Sequence, residues 1–300
     1  MMNISVIGAG YVGLITGIGF AKLNHQVSII DLNNDLIKNL NENIAPFYEP
    51  ELENNLNDLK ISNNLHFSTN YQKSIDENTD IVFVCVQTPT DPDSGKIKIE
   101  HIASALTELK KLESFNFIIC IKSTIKGSLV EKITNEIDLD YKKIIFNPEF
   151  LREGSAFYDF FNPDRIVIGG SDQKGIDRCL ELYEPFDCEK IITDSNSSQM
   201  IKYLSNTYLA MRLSFVNETY RLVSEFNGNP NEVLRAIGSD KRIGNDYFRP
   251  SPGWGGSCFP KDVKEVTNSF QMNYQLPIIS EILRSNELHM SWFVDYILKI

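Results

Sequence analysis

Histidine is scarce in this 300-residue chain. There are four, His25, His66, His101 and His289, and none stands in a His-x-x-x-His spacing, so a histidine-held zinc is not expected. The five cysteines are an odd set with no Cys-x-x-Cys pair. That excludes a zinc knuckle and a disulfide scaffold, and no metal site is expected. Basic residues are outnumbered, 29 against 40 acidic ones, for a net charge of −11. A chain with no basic excess is a poor partner for nucleic acid, although backbone amides can still hold a small anion locally. No apolar run approaches the roughly 18 residues of a membrane span, so no membrane partner is expected. Residues 1–9 lack the charged and long apolar parts of a signal peptide. Reduced thiols then point to the cytoplasm. Proton chemistry falls to Lys, Asp, Glu or Cys.

What is present is enough apolar sequence for real cores, 42% of residues. The length favours about two domains. Over 1–193, short β-branched runs alternate with helical stretches. The runs are 4–7, 27–30, 81–86, 117–121, 144–146 and 165–168. They do not alternate in polarity, as parallel strands buried on both faces should not. The expected fold class is therefore α/β, with a doubly wound parallel sheet. From 194 the pattern changes. Asp194-Ser195-Asn196-Ser197-Ser198 offers helix caps, and a helical pattern then runs to about Asn227, stopped by Gly228-Asn229-Pro230. Apolar residues lie on most of its faces, which implies burial against other helices or another subunit. Further helices are expected over 230–238, 261–272 and 277–300. The domains are expected at 1–193 and 194–300, the second being a long connecting helix and an all-α unit.

Gly8-Ala9-Gly10-Tyr11-Val12-Gly13 directly follows the first strand and opens a helix. This is the Rossmann-like dinucleotide fingerprint. Gly8 permits the turn, Gly10 lets backbone approach a pyrophosphate, and Gly13 lets helix and sheet pack closely. The helix start offers free amides to phosphate. Asp31 ends the second strand, where a carboxylate accepts the ribose hydroxyls of NAD and repels the 2′-phosphate of NADP. The bland alternative is a sheet whose glycines serve turns only. Gln87-Thr88-Pro89-Thr90 and Ser123-Thr124 follow later strands at the edge where ligands bind in such sheets; they read equally as plain strand-ending turns.

Four further segments bear on chemistry. In Asn147-Pro148-Glu149-Phe150-Leu151-Arg152-Glu153-Gly154, one helical turn would set Glu149 and Glu153 on one side; otherwise this is a solvated charged loop. Lys202 and Asn206 share a face of the long helix, where Lys202 is either an exposed charge or a placed donor. Gly253-Trp254-Gly255-Gly256-Ser257-Cys258-Phe259-Pro260-Lys261-Asp262 is the sharpest signal. Cys85, Cys120, Cys179 and Cys188 sit in apolar contexts and read as small core residues. Cys258 alone follows a glycine-rich loop and precedes a Pro that can begin a helix. Helix-start amides and Lys261 would favour its thiolate, as a nucleophile requires, although a structural cysteine fits the spacing too. Finally, Asp240-Lys241-Arg242-Ile243-Gly244-Asn245-Asp246-Tyr247 is a basic loop suited to phosphate.

Together these segments, in this order over the whole chain, resemble the UDP-glucose 6-dehydrogenase family, the nucleotide-sugar 6-dehydrogenases. Asn-Pro-Asp-Arg-Ile-Val-Ile-Gly at 162–169 and Lys-Tyr-Leu-Ser-Asn-Thr-Tyr-Leu-Ala at 202–210 add to the likeness. The resemblance implies oxidation of a sugar C6 alcohol to a carboxylate in two NAD-dependent steps. It implies Cys258 as the nucleophile, through a thiohemiacetal and a thioester. Lys202 is implied as support for the oxyanion and alcohol proton, and Asn206 as its hydrogen-bonding neighbour. Asp262 is implied as the residue ordering water. Glu153 and Thr124 are implied in acid/base or water-positioning work. Cofactor contacts are implied at Gly8, Gly10, Tyr11, Val12, Gly13, Asp31, Thr88, Pro89, Thr124 and Lys261. Glu149, Phe150, Leu151, Tyr247 and Gly255, with Lys202 and Asn206, are implied at the sugar, and Arg242 at the substrate of a neighbouring subunit. A homodimer through the central helix and a role in polysaccharide precursor supply follow from the same likeness. Family members carry a third, UDP-binding domain for which nothing remains after Ile300. The chain is accordingly expected to be a truncated form that dimerises but binds nucleotide sugar weakly. UDP-N-acetylmannosamine or GDP-mannose as substrate, a one-step dehydrogenase of the 6-phosphogluconate type, and a non-catalytic NAD-binding module stand as alternatives.

Overall fold

The computed structural model describes residues 1–91, 97–269 and 276–299. In chain order the elements are β1 (Asn3–Ile7), α1 (Tyr11–Lys22), β2 (Gln26–Ile30), α2 (Asn34–Asn41), α3 (Leu52–Ile61), β3 (Leu65–Ser68), α4 (Tyr71–Ser74), β4 (Ile81–Val84), α5 (Glu100–Lys110) and β5 (Ile118–Ile121). There follow α6 (Gly127–Glu136), β6 (Ile144–Phe146), α7 (Ala156–Phe161), β7 (Arg165–Gly169), α8 (Gln173–Leu182), β8 (Glu189–Thr193), α9 (Ser195–Glu225), α10 (Pro230–Gly238), α11 (Phe259–Ser269) and α12 (Pro277–Ile297). They form two compact units, Met1–Thr88 with Lys98–Lys202, and Pro89–Ile97 with Tyr203–Ile300.

The first unit is built on one sheet of order β3-β2-β1-β4-β5-β6-β7-β8. Its strands pair in parallel from β3 to β6, and β7 pairs in parallel with β8. β6 meets β7 antiparallel through Phe146 and Gly169, so the sheet is mixed rather than wholly parallel. Alternate residues serve opposite faces: on β4, Ile81 and Phe83 join the core beneath α1, α7 and α8, while Val82 and Val84 join the core beneath α5 and α6. Each such aliphatic contributes roughly 1.5–3 kcal/mol on burial, which is why the central strands carry unbroken apolar runs. β3 and β8 have no such run and were not expected. Both are edge strands, and Glu189–Thr193 is largely open to solvent, so their sequences are under less pressure to be apolar. The chain order reverses beside β1, between β1 and β4, where open sheets of this kind bind ligands.

α9 starts in the first unit, at Ser195, and continues into the second; just before it, the Asp194 side chain accepts from the Ser197 amide at 2.9 Å. That bond and the Ser197 hydroxyl hold the Asp194 carboxyl below the ordinary value. α10 starts at Pro230 behind an Asn229 cap. The helix expected over 261–272 is present as α11 up to Ser269; 270–272 lie outside the described residues. Small cores form around Ala210, Trp254, Val263 and Ile282, around Ile97, Tyr203 and Val266, and around Val216, Leu234 and Phe248. No described helix is long and apolar enough to cross a membrane.

Candidate functional site

The fingerprint turn is built as its glycines require. Gly8 has φ +100°, and a Cβ there would come within 2.8 Å of the Cys85 carbonyl oxygen. A Cβ on Gly13 would lie 1.9 Å from the Gly8 oxygen, so any larger residue would push α1 off the turn. Around Gly10 the space is open. α1 has no side-chain cap and no acidic residue in its first turn. Its leading amides therefore carry the positive end of the helix dipole toward whatever occupies that space. Asp31 follows β2 and accepts from the Ala9 amide at 2.8 Å and the Asn33 amide at 2.9 Å. A carboxylate has room for further donors beside two such bonds. The next loops are tied together: Thr88 donates to the Thr124 carbonyl at 3.1 Å, and Ser123 to the Val86 carbonyl at 2.7 Å. Open backbone at Gly10, uncapped amides at Tyr11, Val12 and Gly13 and a carboxylate at the end of β2 fit a dinucleotide.

After β6, Asn147 is buried and accepts from Lys122 Nζ at 2.9 Å and Tyr183 at 2.5 Å. Lys122 is itself buried, and burial pulls its ammonium below the ordinary lysine value. Glu149 then accepts from the Leu151 amide at 2.7 Å and from Lys202 Nζ at 3.0 Å. The two side chains are only 9% and 4% exposed, so Lys202 is a placed donor rather than a surface charge. Burial alone would raise the Glu149 carboxyl, but Lys202, the Leu151 amide and Lys122 outweigh it and bring it below the ordinary value. Phe150 lies under two cations, 4.0 Å from the Arg165 guanidinium and 5.3 Å from Lys202 Nζ, measured to the ring centre. Leu151 packs on the sheet core. The helical turn considered for Glu149 and Glu153 does not form. Residues 149–155 are irregular, with Glu149 turned inward and Glu153 exposed, because Glu149 takes its own chain's Leu151 amide and the buried lysine instead.

In the second unit Asn206 donates to Asp262 at 2.6 Å, and Lys261 Nζ donates to the other oxygen of the same carboxylate at 2.6 Å. Asp262 is 1% exposed. Lys261, expected beside the thiol, thus gives its ammonium to Asp262. Cys258 is exposed and directly precedes α11; its carbonyl accepts from the Asp262 amide at 2.9 Å. Its Sγ stands 3.6 Å from the Ser257 hydroxyl. Cys85, Cys120 and Cys179 are buried and Cys188 is half-buried. Burial pushes the Cys85 thiol up to about 12, and raises those of Cys120 and Cys188. Gly255 is exposed with open space about it. Tyr247 is half-buried with its ring 6.4 Å from Phe259. Arg242 is exposed and paired with Asp240 at 2.7 Å.

The sequence reading missed what anchors the loop before Cys258. Asn286 accepts from the Trp254 amide and donates back to its carbonyl, at 2.9 and 2.8 Å. Ser214 accepts from the Trp254 indole at 2.8 Å, Asn217 from the Ser251 amide at 3.0 Å, and His289 bonds the Ser251 carbonyl at 2.8 Å. The available signal was polar pairs three apart, Ser214/Asn217 and Asn286/His289, inside apolar helices.

A doubly wound sheet with this fingerprint defines a dinucleotide-binding domain. Residues 2–187 match the NAD binding domain of the UDP-glucose/GDP-mannose dehydrogenase family, and 196–288 match its central domain. The chain belongs to this family. It is 35% identical over 303 residues to UDP-glucose 6-dehydrogenase YwqF of Bacillus subtilis, covering 98% of this chain and 68% of that protein. To the UDP-glucose 6-dehydrogenase of Rickettsia felis it is 34% identical, covering 99% of this chain and 67% of that one. Among solved structures, a UDP-glucose dehydrogenase from the archaeon Pyrobaculum islandicum superposes with a TM-score of 0.88 at 34% identity, covering 96% of this chain and 68% of that one.

Proposed function

We propose that the chain oxidises the C6 alcohol of UDP-glucose to the carboxylate of UDP-glucuronate in two steps through Cys258. The observation that carries this reading is the exposed Cys258 at the start of α11, set apart from four cysteines that are wholly or partly buried. The named relatives supply the substrate. Bound NAD supplies the hydride acceptor, one molecule for each oxidation. Gly8, Gly10, Tyr11, Val12, Gly13 and Asp31 hold it, with Thr88, Pro89, Thr124 and Lys261.

The chain's own residues do the rest. The alcohol first gives up a hydride and its proton, forming the aldehyde. Cys258 Sγ adds to the aldehyde carbon, and the resulting thiohemiacetal restores a tetrahedral carbon that can lose a second hydride. The product is a thioester on Cys258, and water cleaves it to release the acid and the thiol. Lys202, with Asn206, stabilises charge on the reacting oxygen. Asp262, holding Asn206 and Lys261, orders the water. Glu153 and Thr124 serve the acid/base work of thioester cleavage. Glu149, Phe150, Leu151, Tyr247 and Gly255 receive the sugar.

In this reading residues 1–193 serve as the cofactor domain and 194–300 as the helical domain. The protein works in the cytoplasm, in keeping with free thiols. It is a homodimer through α9, and Arg242 reaches the neighbouring copy's substrate. Support for the dimer is an apolar stripe left exposed on α9 at Leu204, Tyr208, Phe215 and Leu222, with Phe226 just past its end.

The test is NADH yield with excess NAD and limiting UDP-glucose. Two NADH per sugar are expected, and Cys258→Ala should abolish acid formation while still binding NADH. One NADH per sugar, or unchanged two-step turnover in Cys258→Ala, would refute the thioester route. The same assay with GDP-mannose and UDP-N-acetylmannosamine checks the substrate; faster turnover of either would overturn that assignment.

A further inference from the structure

Glu49 lies between α2 and α3, is 4% exposed, and belongs to none of the motifs singled out above. Its carboxylate gathers three donors from distant parts of the first unit. One oxygen accepts from the Tyr11 hydroxyl at 2.6 Å and from the Gly154 amide at 2.8 Å; the other accepts from the Ala156 amide at 2.8 Å. Tyr11 is the first residue of α1, inside the fingerprint, and its ring rests on Phe47 with centres 5.0 Å apart. Gly154 and Ala156 flank the end of the segment that carries Glu149 and Glu153. The Ser155 side chain does not cap α7, so Glu49 satisfies that helix start in its place. The Arg152 carbonyl is also within 3.3 Å of the Tyr11 hydroxyl. Burial and the Glu49 carboxylate both raise the Tyr11 phenol far above its ordinary value, so this proton stays on the tyrosine as a donor.

A buried carboxylate is costly to hold unless each lone pair has work. Among the described residues the bonds go to two places: the helix that begins the dinucleotide turn, and the far end of the 149–156 segment, whose near end Lys202 clamps at Glu149. We propose that Glu49 is a positioning residue that latches the Glu153-bearing segment to the cofactor helix through Tyr11. Cofactor in the fingerprint turn then steadies α1's first residue, and the latch passes that order to residues 152–156. This rests on the reading of Tyr11 and Glu153 given above.

Hydrogen–deuterium exchange on the full chain, with and without NADH, reads the latch apart from turnover. In the parent protein the amides of 152–156 exchange slowly, and more slowly with NADH. Tyr11→Phe keeps the ring on Phe47 and removes only the hydroxyl. It should speed exchange there about tenfold, the loss of one bond to a charged acceptor, and abolish the NADH response. Glu49→Gln should speed exchange and lose the NADH response likewise, while NADH still binds, by fluorescence, and the melting temperature falls by no more than about 4 °C. The double variant should be no worse than Glu49→Gln. Parent-like exchange in Tyr11→Phe, or a parent segment indifferent to bound NADH, would overturn the latch. A parent that shows the latch but oxidises no UDP-glucose would instead overturn the substrate reading; two NADH per sugar with no latch would do the reverse.

Discussion

Glu149 shows how one residue's setting governs its chemistry. It is flanked by two cations, bonded to Lys202 and within the field of buried Lys122, and its carboxyl sits below the ordinary value of 4.5. A carboxyl that is more acidic in the folded state adds stability that is complete above its unfolded value. That stability drains away as pH falls through the folded value, so the sensitive window lies below about pH 4.5. Glu149→Gln should cost about 2–3 kcal/mol at pH 7, because it leaves buried ammonium groups without their counter-charge. The gap between parent and variant, from urea unfolding at stepped pH, should close below pH 4.5. A gap that stays constant to pH 3 would mean the lysines do not hold this carboxyl in its charged form. The position of Glu149 was legible as a motif residue, and its partner was not. The Lys202 bond spans 53 residues of chain, and spacing could only leave Lys202 as either exposed or placed.

Among the elements, α9 leaves an apolar face exposed. Leu204, Tyr208, Phe215 and Leu222 recur at intervals of four and seven, which sets them in one stripe along the helix, and Phe226 follows just past its end. All are exposed, Phe226 to 78%. If a second copy covers the stripe, Leu222→Glu should convert the parent's two-chain mass to one-chain mass in light scattering, with helix content unchanged. A monomeric parent, or a variant that remains dimeric, would sink the proposed dimer. The sequence showed that this helix was apolar on most faces. Which apolar residues face their own unit and which face outward depended on how α9 packs on Trp254, Val263 and Ile282. The edge strands β3 and β8 escaped notice for the opposite reason, since half of their surroundings is solvent.

On the scale of the whole molecule, ligand binding and stability are linked. A dinucleotide at a hundred times its dissociation constant stabilises the folded state by about 2.7 kcal/mol. For a unit of this size that is roughly 5–10 °C in melting temperature. NAD should give such a shift in a thermal melt, and NADP at equal concentration should give little, because Asp31 would face the added phosphate. Equal shifts would remove Asp31 from cofactor selection. The net charge of −11 does not by itself oppose this binding, since the uncapped amides at the start of α1 supply a local positive field.

The sequence by itself determined the α/β class, the fingerprint turn and the singular cysteine, because those depend on local spacing: strand, glycine, helix and Pro lie within a few residues of one another. It also sufficed to establish the family through motifs in order. Only the tertiary structure decided that Pro89–Ile97 joins Tyr203–Ile300, with Ile97 buried against Tyr203 and Val266. Only it turned the 147–154 segment into a loop rather than a helical turn, and gave Lys261 to Asp262. Only it revealed Glu49 as the shared acceptor of Tyr11, Gly154 and Ala156. The physical reason is common to these cases. A buried polar group takes whichever partner folding brings within 3 Å, and that partner can lie a hundred residues away along the chain, as Gly154 and Ala156 do from Glu49.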